Sequence, residues 1–184
     1  MTYDLSGKTV AVISTDQFED SELQSPAQAV KDAGANVVVL APEAGSITGK
    51  KGAEVAVDQT TADALAAGTT FDGILIPGGT SNSDQIRMDE AAVEIVKKHN
   101  EAGMPIAAIC HGPWLLIEAE AVRDKNVTSY PSLRTDLVNA GAKWEDSEVV
   151  CDKGLVTSRT PRDLEAFNAK FVEELAEGSH KDRR

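Results

Sequence analysis

The chain has few cysteines: only Cys110 and Cys151 occur among its 184 residues. Two thiols do not make a disulfide framework, and the first residues show no basic segment followed by a long apolar run, so no secretory signal is predicted. No apolar stretch approaches the roughly 20 residues that a membrane-spanning helix needs. We therefore expect a cytoplasmic protein without a membrane partner.

Basic residues are scarce as well, because 18 Lys and Arg stand against 30 Asp and Glu and give a net charge of −12. Binding to the phosphate backbone of nucleic acids needs clustered Lys and Arg, so direct contact with nucleic acid is not predicted. The His, Cys, Asp and Glu residues do not show the spacing of metal ligands. The sequence therefore predicts a site with no metal and no cofactor.

Short apolar runs that alternate with helical patterns are abundant. The predicted strands cover residues 8–14, 37–40, 73–76 and 105–109, and the predicted helices cover residues 20–33, 61–67, 90–102, 113–119, 132–139 and 161–177. Pro26 falls inside the first helix and is expected to kink it or to reset its start. Strands that are apolar throughout are typical of a parallel sheet covered on both faces. We predict one α/β domain over residues 1–184, a three-layer α/β/α sandwich with a mostly parallel, flavodoxin-like sheet, in which residues 178–184 form a flexible tail.

The segment Pro-Ile-Ala-Ala-Ile-Cys-His-Gly-Pro, residues 105–113, carries the strongest functional signal. It predicts a buried strand, a tight turn at Cys110 and the start of a helix, which is the thiol counterpart of the G-x-S-x-G nucleophile elbow. Ala108 and Gly112 flank the turn, where small residues let the two backbones approach. A helix N-terminus favours the thiolate form. We therefore predict Cys110 as a reactive nucleophile, and Cys151, which lies in an apolar run, as a core residue.

Three candidate groups follow the ends of predicted strands. Glu19 follows the first strand, Gly78 and Gly79 follow the strand over residues 73–76, and Cys110 follows the elbow strand. Because ligands bind beyond the carboxyl ends of parallel strands, we expect these groups at one rim of the sheet. Glycine lets a substrate approach the backbone, so Gly79 is a candidate oxyanion-hole donor and Gly78 a candidate residue of the substrate rim.

Four segments, considered together, extend the signal over nearly the whole chain. They are Phe18-Glu19-Asp20-Ser21-Glu22, Pro77-Gly78-Gly79, Ala107-Ala108-Ile109-Cys110-His111-Gly112-Pro113 and Thr157-Ser158-Arg159-Thr160-Pro161. With these segments the sequence resembles the ThiJ/PfpI family, which has the class I glutamine amidotransferase-like fold. It is most similar to the branch of PfpI-type intracellular proteases and general stress proteins.

The resemblance implies Cys110 as the nucleophile and His111 as the neighbouring base. It places the family's acidic residue at Glu19, within hydrogen-bond reach of the thiol, and oxyanion-hole amides near Gly79 and His111. In PfpI-type members an acidic residue from a neighbouring subunit orients the histidine, and Asp84 stands in about that place. The resemblance therefore implies a homodimer or higher homo-oligomer with the site near the interface.

Two further expectations concern the ionisation of the site and the residues that line its substrate rim. An ionised carboxylate opposes a neighbouring thiolate, so we predict a raised pKa for Glu19 and a lowered pKa for Cys110, with one proton shared between them. Trp114 stands where true glutamine amidotransferases carry a glutamine, so amidotransferase activity is not expected. Trp114 and Arg159 are candidates for the substrate rim, although Arg159 is equally compatible with a surface role.

The resemblance implies a stress-related cysteine enzyme that acts on carbonyl or acyl carbon. Its substrate is a peptide, a small carbonyl compound such as methylglyoxal, or a glycated adduct, which correspond to peptidase, glyoxalase-like and deglycase activities. All three need a thiolate, an oxyanion hole and a base, so these alternatives stay open. A second hypothesis is a non-enzymatic redox sensor or stress chaperone that uses reversible oxidation of Cys110.

Overall fold

The computed structural model describes residues 2–181 and is built around one seven-stranded sheet. In chain order the strands are β1 (Thr9–Ile13), β2 (Asn36–Ala41), β3 (Ser46–Thr48), β4 (Glu54–Ala56), β5 (Gln59–Thr60), β6 (Gly73–Ile76), β7 (Ile106–Ile109), β8 (Asn126–Val127), β9 (Lys143–Trp144), β10 (Val150–Asp152) and β11 (Leu155–Ser158). The main sheet has the order β10-β11-β7-β6-β1-β2-β5, and its neighbouring strands are parallel except for the antiparallel β10–β11 hairpin. The pairs β3–β4 and β8–β9 form two separate ribbons.

Helices cover both faces of this sheet. They are α1 (Asp20–Asp32), α2 (Thr61–Ala67), α3 (Thr80–Ile86), α4 (Glu90–Glu101), α5 (Pro113–Glu118), α6 (Arg134–Asn139) and α7 (Leu164–Glu177). Successive strand residues enter two different cores: Val10 and Val12 of β1 pack with α1 and α7, whereas Ala11 and Ile13 pack with α2, α4, α5 and α6. This alternation confirms the predicted three-layer α/β/α sandwich with a mostly parallel sheet. None of the described helices is long and apolar enough to cross a membrane.

The sheet order positions the candidate site. Strands β1, β6 and β7 are neighbours and run parallel. The loops that follow them, residues 14–19, 77–79 and 110–112, therefore emerge side by side at the carboxyl edge of the sheet. The topology thus brings the three predicted groups to one rim, as expected for a parallel sheet.

Three local predictions differ from the structure. Helix α1 begins at Asp20 and continues through Pro26, so the proline does not reset the start of the helix. Helix α3 is absent from the sequence-based prediction because its sequence, TSNSDQI, is polar and shows little apolar periodicity. Cys151 is exposed rather than in the core, because β10 is the last strand of the sheet and has a neighbour on one side only.

The predicted flexible tail is docked over its described part. Ser179 Oγ donates a hydrogen bond to the Ala102 carbonyl at 3.0 Å, and the His180 N–H donates to the Gly103 carbonyl at 2.7 Å. Gly103 has a φ of 72° and leaves no room for a Cβ beside the His180 carbonyl. These bonds hold residues 179 and 180 against the turn after α4. The flexibility of the tail stays a prediction, and residues 182–184 lie outside the described residues.

Candidate active site

The site is built on a strained turn between β7 and α5. Cys110 has a φ of 62°, a left-handed conformation that non-glycine residues rarely adopt. Its N–H donates to the Ser158 carbonyl at 3.1 Å, and its carbonyl accepts from the Tyr130 N–H at 2.9 Å. The turn is thus held on both sides, which is the geometry of a nucleophile elbow.

Glycines make the close approaches around this turn possible. A Cβ on Gly112 would lie 2.7 Å from the Ile76 carbonyl, so only glycine lets α5 start this close to β6. A Cβ on Gly78 would lie 2.7 Å from the Cys110 Cβ. Gly79 combines a φ of 92° with a position against the backbone of Phe18, which again requires glycine.

Two backbone amides converge on the sulfur. The N–H groups of Gly79 and His111 both form hydrogen bonds with Cys110 and favour its ionised form. Because they are rigid parts of the chain, they are also placed to stabilise negative charge that develops on a carbonyl attacked by this sulfur. The structure therefore brings together the two amides that the sequence analysis names as oxyanion-hole donors.

The imidazole of His111 reaches back to the thiol despite being the next residue in the chain. His111 Nδ1 lies 3.2 Å from the Cys110 sulfur. Its Nε2 lies 3.4 Å from both Thr80 Oγ1 and Ser132 Oγ. When Nε2 carries the ring proton towards these hydroxyls, Nδ1 is free to accept the thiol proton.

Aromatic side chains fix the orientation of this ring. Tyr130 stacks on His111 with ring centroids 4.8 Å apart, and Trp114 meets it edge-on at 5.2 Å. Burial, with a smaller contribution from the charge of Lys50, lowers the pKa of His111 below its usual value. The imidazole is therefore neutral at neutral pH, as a general base must be.

The acid beside the thiol is Glu22, which corrects the predicted position of this group. The Glu19 carboxylate instead forms ion pairs with Lys50 Nζ at 3.1 Å and Lys51 Nζ at 3.2 Å. Glu22 is fully buried, contacts Cys110, and accepts a hydrogen bond from the Gly78 N–H at 3.1 Å. The reason is helical geometry: Glu19 precedes the first residue of α1, whereas Glu22 lies one turn later on the buried side.

Burial dominates the ionisation of this pair. It raises the pKa of Glu22 to about 8, with help from the Glu19 charge and against the Gly78 hydrogen bond. Burial also raises the pKa of Cys110 to about 12, and the charge of Glu22 adds to this effect. The expectation of a lowered thiol pKa is therefore wrong for this site. At neutral pH the carboxyl is protonated and the thiol gives up its proton only when a partner such as His111 accepts it.

The other three predicted site residues, Asp84, Trp114 and Arg159, have different environments. Asp84 is exposed on α3. Trp114, beside His111, donates its Nε1–H to Asp136 at 2.9 Å. The Arg159 guanidinium is held by its own chain, in hydrogen bonds with Asp163 at 3.0 Å and Asp146 at 2.9 Å. Arg159 therefore organises the corner after β11, and its role on the substrate rim stays a prediction.

Several residues of the site are absent from the sequence-based prediction. Glu22 has a signal that could reveal it, since it shares the buried stripe of α1 with Leu23 and Pro26, where an acid is out of place. Asn82 is fully buried; its amide nitrogen donates to the Gly78 carbonyl at 3.0 Å and its oxygen accepts from the Thr15 N–H at 2.7 Å. Asn82 thus links the loop after β1 to the loop after β6, and only the tertiary structure reveals this link. The same holds for Thr80, Ser132 and Tyr130.

A cluster of side chains that could hold a metal ion lies away from Cys110. Within residues 2–181, the group of His and carboxylate ligands close enough to hold one ion consists of Glu174, Glu177 and His180, at the end of α7.

The chain resembles known proteins over almost its whole length. The family model described as the DJ-1/PfpI family matches residues 8–174. YraA of Bacillus subtilis (strain 168), named as a candidate cysteine protease, is 48% identical over 166 residues, covering 90% of this chain and 96% of YraA. Protein/nucleic acid deglycase 2 of Escherichia coli (strain K12) is 45% identical over 168 residues, covering 90% of this chain and 96% of the deglycase.

A solved structure shows the same architecture. A two-domain protein from Anabaena variabilis, containing DJ-1/ThiJ/PfpI-like and ferritin-like domains, matches with a TM-score of 0.86 and 37% identity. The match covers 91% of this chain and 48% of that protein, so the chain spans about half of its length. Together with the family match over residues 8–174, this similarity identifies the chain as a member of the DJ-1/PfpI family.

Proposed function

We propose that the protein is a cysteine-dependent enzyme that attacks carbonyl or acyl carbon through Cys110. The observation that carries the proposal is the position of the sulfur, 3.2 Å from His111 Nδ1 and within hydrogen bonds of two backbone N–H groups. A nucleophile, a base and oxyanion donors are the groups that addition to a carbonyl needs. They meet on a strained turn that a purely structural cysteine would not require.

The first step follows from this geometry. His111 Nδ1 accepts the thiol proton as the sulfur forms a bond to the carbonyl carbon, and the carbonyl electron pair moves to oxygen. The N–H groups of Gly79 and His111 hydrogen bond to that oxyanion. The imidazolium then returns a proton, either to the oxyanion or to a leaving group, so the histidine ends the cycle neutral.

We propose small dicarbonyl compounds and their amine adducts as the main substrate class. Addition of Cys110 to the aldehyde of methylglyoxal gives a hemithioacetal. Moving its C1 proton to the neighbouring carbon gives a thioester, and water releases lactate and the free thiol. Glu22 supports this choice, because a buried carboxyl with a pKa of about 8 is protonated at neutral pH and can donate a proton beside the sulfur and then take one back. A glycated amine enters the same sequence once the sulfur displaces the amine.

Peptide hydrolysis is the second candidate, supported by the name of YraA. Here the sulfur forms an acyl-enzyme, and the His111 imidazolium gives its proton to the leaving amine. Water then attacks the thioester with His111 again as base. Neither route draws on a metal or a cofactor, and we propose that both operate in the reducing cytoplasm, where a free thiol persists.

We further propose that the site is completed in a homodimer or higher oligomer. His111 Nε2 faces two hydroxyls at 3.4 Å, which are weak partners for a ring that must become positively charged. Asp84 is exposed on α3, the helix that also carries Thr80, and the nearby Met88 is 80% exposed. In this arrangement Asp84 of a second copy orients the imidazole, as the third member of a triad does.

A substrate panel tests the assignment. Methylglyoxal, a methylglyoxal-modified amine and a small peptide substrate are offered to wild-type protein, to Cys110→Ser and to the matched control Cys151→Ser. We expect wild-type protein and Cys151→Ser to form lactate and Cys110→Ser to form none. Cleavage of the peptide alone would select the peptidase. Absence of turnover on all three, together with oxidation of Cys110 by low peroxide, would contradict an enzymatic role and favour the redox sensor.

A further inference from the structure

We propose that Glu174, Glu177 and His180 form a binding site for a divalent transition-metal ion of the zinc type. One ligand atom from each of these side chains lies within 4.8 Å of the others. The reaction proposed for Cys110 uses none of them. The spacing of these residues does not suggest a metal site in the sequence, because the pattern Glu-x-x-Glu-x-x-His spans the end of a helix and is closed only by the turn that follows.

The chain geometry explains how the three ligands meet. Glu174 and Glu177 are three residues apart on α7, so they project from the same face. The helix ends at Gly178, whose φ of 85° redirects the chain. The His180 N–H then bonds to the Gly103 carbonyl at 2.7 Å, which holds the residue against the molecule. His180 Nε2 lies 2.9 Å from Glu174 Oε2 and 3.7 Å from Glu177 Oε2.

The contact between Glu174 and His180 has the geometry of two ligands rather than of a donor and an acceptor. Glu174 is only 5% exposed. Its Oε2 and the His180 Nε2 are both buried and have no hydrogen-bond partner among the described residues, although they lie 2.9 Å apart. The ring N–H direction therefore misses the oxygen. A contact without a well-directed hydrogen bond compensates the burial of these polar atoms poorly, and a cation bound by both atoms would remove that cost.

The neighbouring groups define the donor set. Cys151 lies beside Glu174 but does not belong to the group of side chains whose ligand atoms are close enough to share one ion. Lys170, the cation that faces this cluster, is bound to Glu173 at 2.8 Å. One imidazole and two carboxylates suit Zn²⁺ better than Ca²⁺ or Mg²⁺, which prefer oxygen ligands alone. Water would complete the coordination.

The bound ion would connect the segment after α7 to the helix itself. Helix α7 follows β11 and runs back along the sheet, so its last turn lies at the edge opposite Cys110. The proposed site is therefore separate from the catalytic one. Its expected consequence is stability of the folded chain, since a ligand that binds only the folded state stabilises it.

Zinc binding to the full-length chain tests the proposal. The protein carries Cys110→Ser, so that the active-site thiol is not a competing ligand, and is freed of metal with a chelator. Calorimetric titration with Zn²⁺ should give one ion per chain, and the Tm should rise with Zn²⁺ concentration but not with Mg²⁺. His180→Ala and Glu177→Gln should each weaken binding about tenfold or more. The matched control Glu165→Gln, a charge change in the exposed first turn of the same helix, should leave the affinity unchanged.

Two different ligand variants make the outcome independent of any change in folding. Glu177 is exposed, so Glu177→Gln preserves the fold even if His180→Ala loosens the last residues. No saturable Zn²⁺ binding in the Cys110→Ser protein would overturn the proposal. Equal affinity in Glu177→Gln, His180→Ala and Glu165→Gln would also overturn it, because the ion would then lie elsewhere.

Discussion

Glu22 is a carboxylic acid at a position where α1 otherwise buries apolar side chains. Its partners are the Gly78 N–H and the Cys110 side chain, and its Oε2 has no hydrogen-bond partner among the described residues. A charged carboxylate there would be costly, so the group remains protonated at neutral pH. A buried acid at this position is explained better by a role in the chemistry of the Cys110 sulfur than by packing.

The buried acid predicts a specific pH dependence of stability. An unfolded glutamate titrates near 4.3 and the folded Glu22 near 8, so the folded state binds the extra proton between these values. The free energy of unfolding should therefore fall by about 1 kcal/mol per pH unit from roughly pH 5 to pH 8, and then level off. Urea unfolding across this range should show a flatter profile for Glu22→Gln. The exposed control Glu90→Gln should follow the wild type.

The pKa of Glu22 also predicts how activity falls at alkaline pH. If the protonated Glu22 serves the reaction, kcat/KM should decline above about pH 8 in the wild type. The acid limb should lie below the ordinary histidine range, since burial lowers the pKa of His111. Glutamine still donates a hydrogen bond but does not titrate, so Glu22→Gln should lose the alkaline limb. An identical limb in both proteins would contradict this role.

These residues also show how far the sequence could predict the site. Cys110, His111 and Gly112 form a local turn, so adjacent residues carry the whole signal. The choice between Glu19 and Glu22 depends on how α1 is rotated against the sheet, and both acids lie near its start. That rotation is set by packing against β1 and α7, which no short motif encodes.

At the scale of elements, the corner between β11 and α7 depends on one arginine. Arg159 bonds to Asp163, which is 3% exposed, and to the more exposed Asp146. Burial alone would raise the pKa of Asp163, but the Arg159 side chain and N–H outweigh it and hold the pKa below its usual range. The pair thus fixes how α7 leaves the sheet beside the elbow.

Loss of this arginine should destabilise the protein in a pH-dependent way. Arg159→Ala leaves a buried carboxylate without its cation, which should cost about 1–3 kcal/mol. The stabilisation by a lowered pKa is present above about pH 4, the unfolded aspartate value, and is lost as the pH falls through the folded value. Denaturant unfolding at pH 7 and pH 3 measures the difference, with the exposed Arg162→Ala as control. A raised KM at unchanged stability would instead place Arg159 in substrate binding.

Elements of low apolar content mark the limit of sequence prediction at this scale. The periodic helices α1, α4 and α7 are predicted within a residue or a few at each end, because their buried faces repeat. Helix α3 is short and polar, and it forms where Asn82 bonds to the Pro77 and Gly78 carbonyls. Those bonds are local, but Asn82 Oδ1 also accepts from the Thr15 N–H at 2.7 Å. That bond exists only once β1 and β6 are paired, so it leaves no periodic signal.

At the scale of the whole molecule, assembly and activity should be linked. If Asp84 of a second copy orients His111, Asp84→Asn should lower kcat by about a hundredfold or more while Tm stays unchanged. The neighbouring variant Gln85→Ala should retain kcat. Light scattering and activity measured over a dilution series should decline together. A monomer with full activity per chain would contradict the shared site.

The length of the loop after β1 affects the position of the Gly79 amide. Gly79 lies against the main chain of this loop, where a Cβ would come within 2.8 Å of the Glu19 nitrogen and 2.9 Å of the Phe18 Cα, and the Glu19 N–H donates to the Gly78 carbonyl at 3.2 Å. These supports are backbone atoms, so the position of the Gly79 amide depends on the path of the loop main chain. Insertion or deletion of a single residue between Ile13 and Asp20 would displace the Gly79 amide. The number of residues in this loop therefore determines where the Gly79 amide lies relative to the Cys110 sulfur.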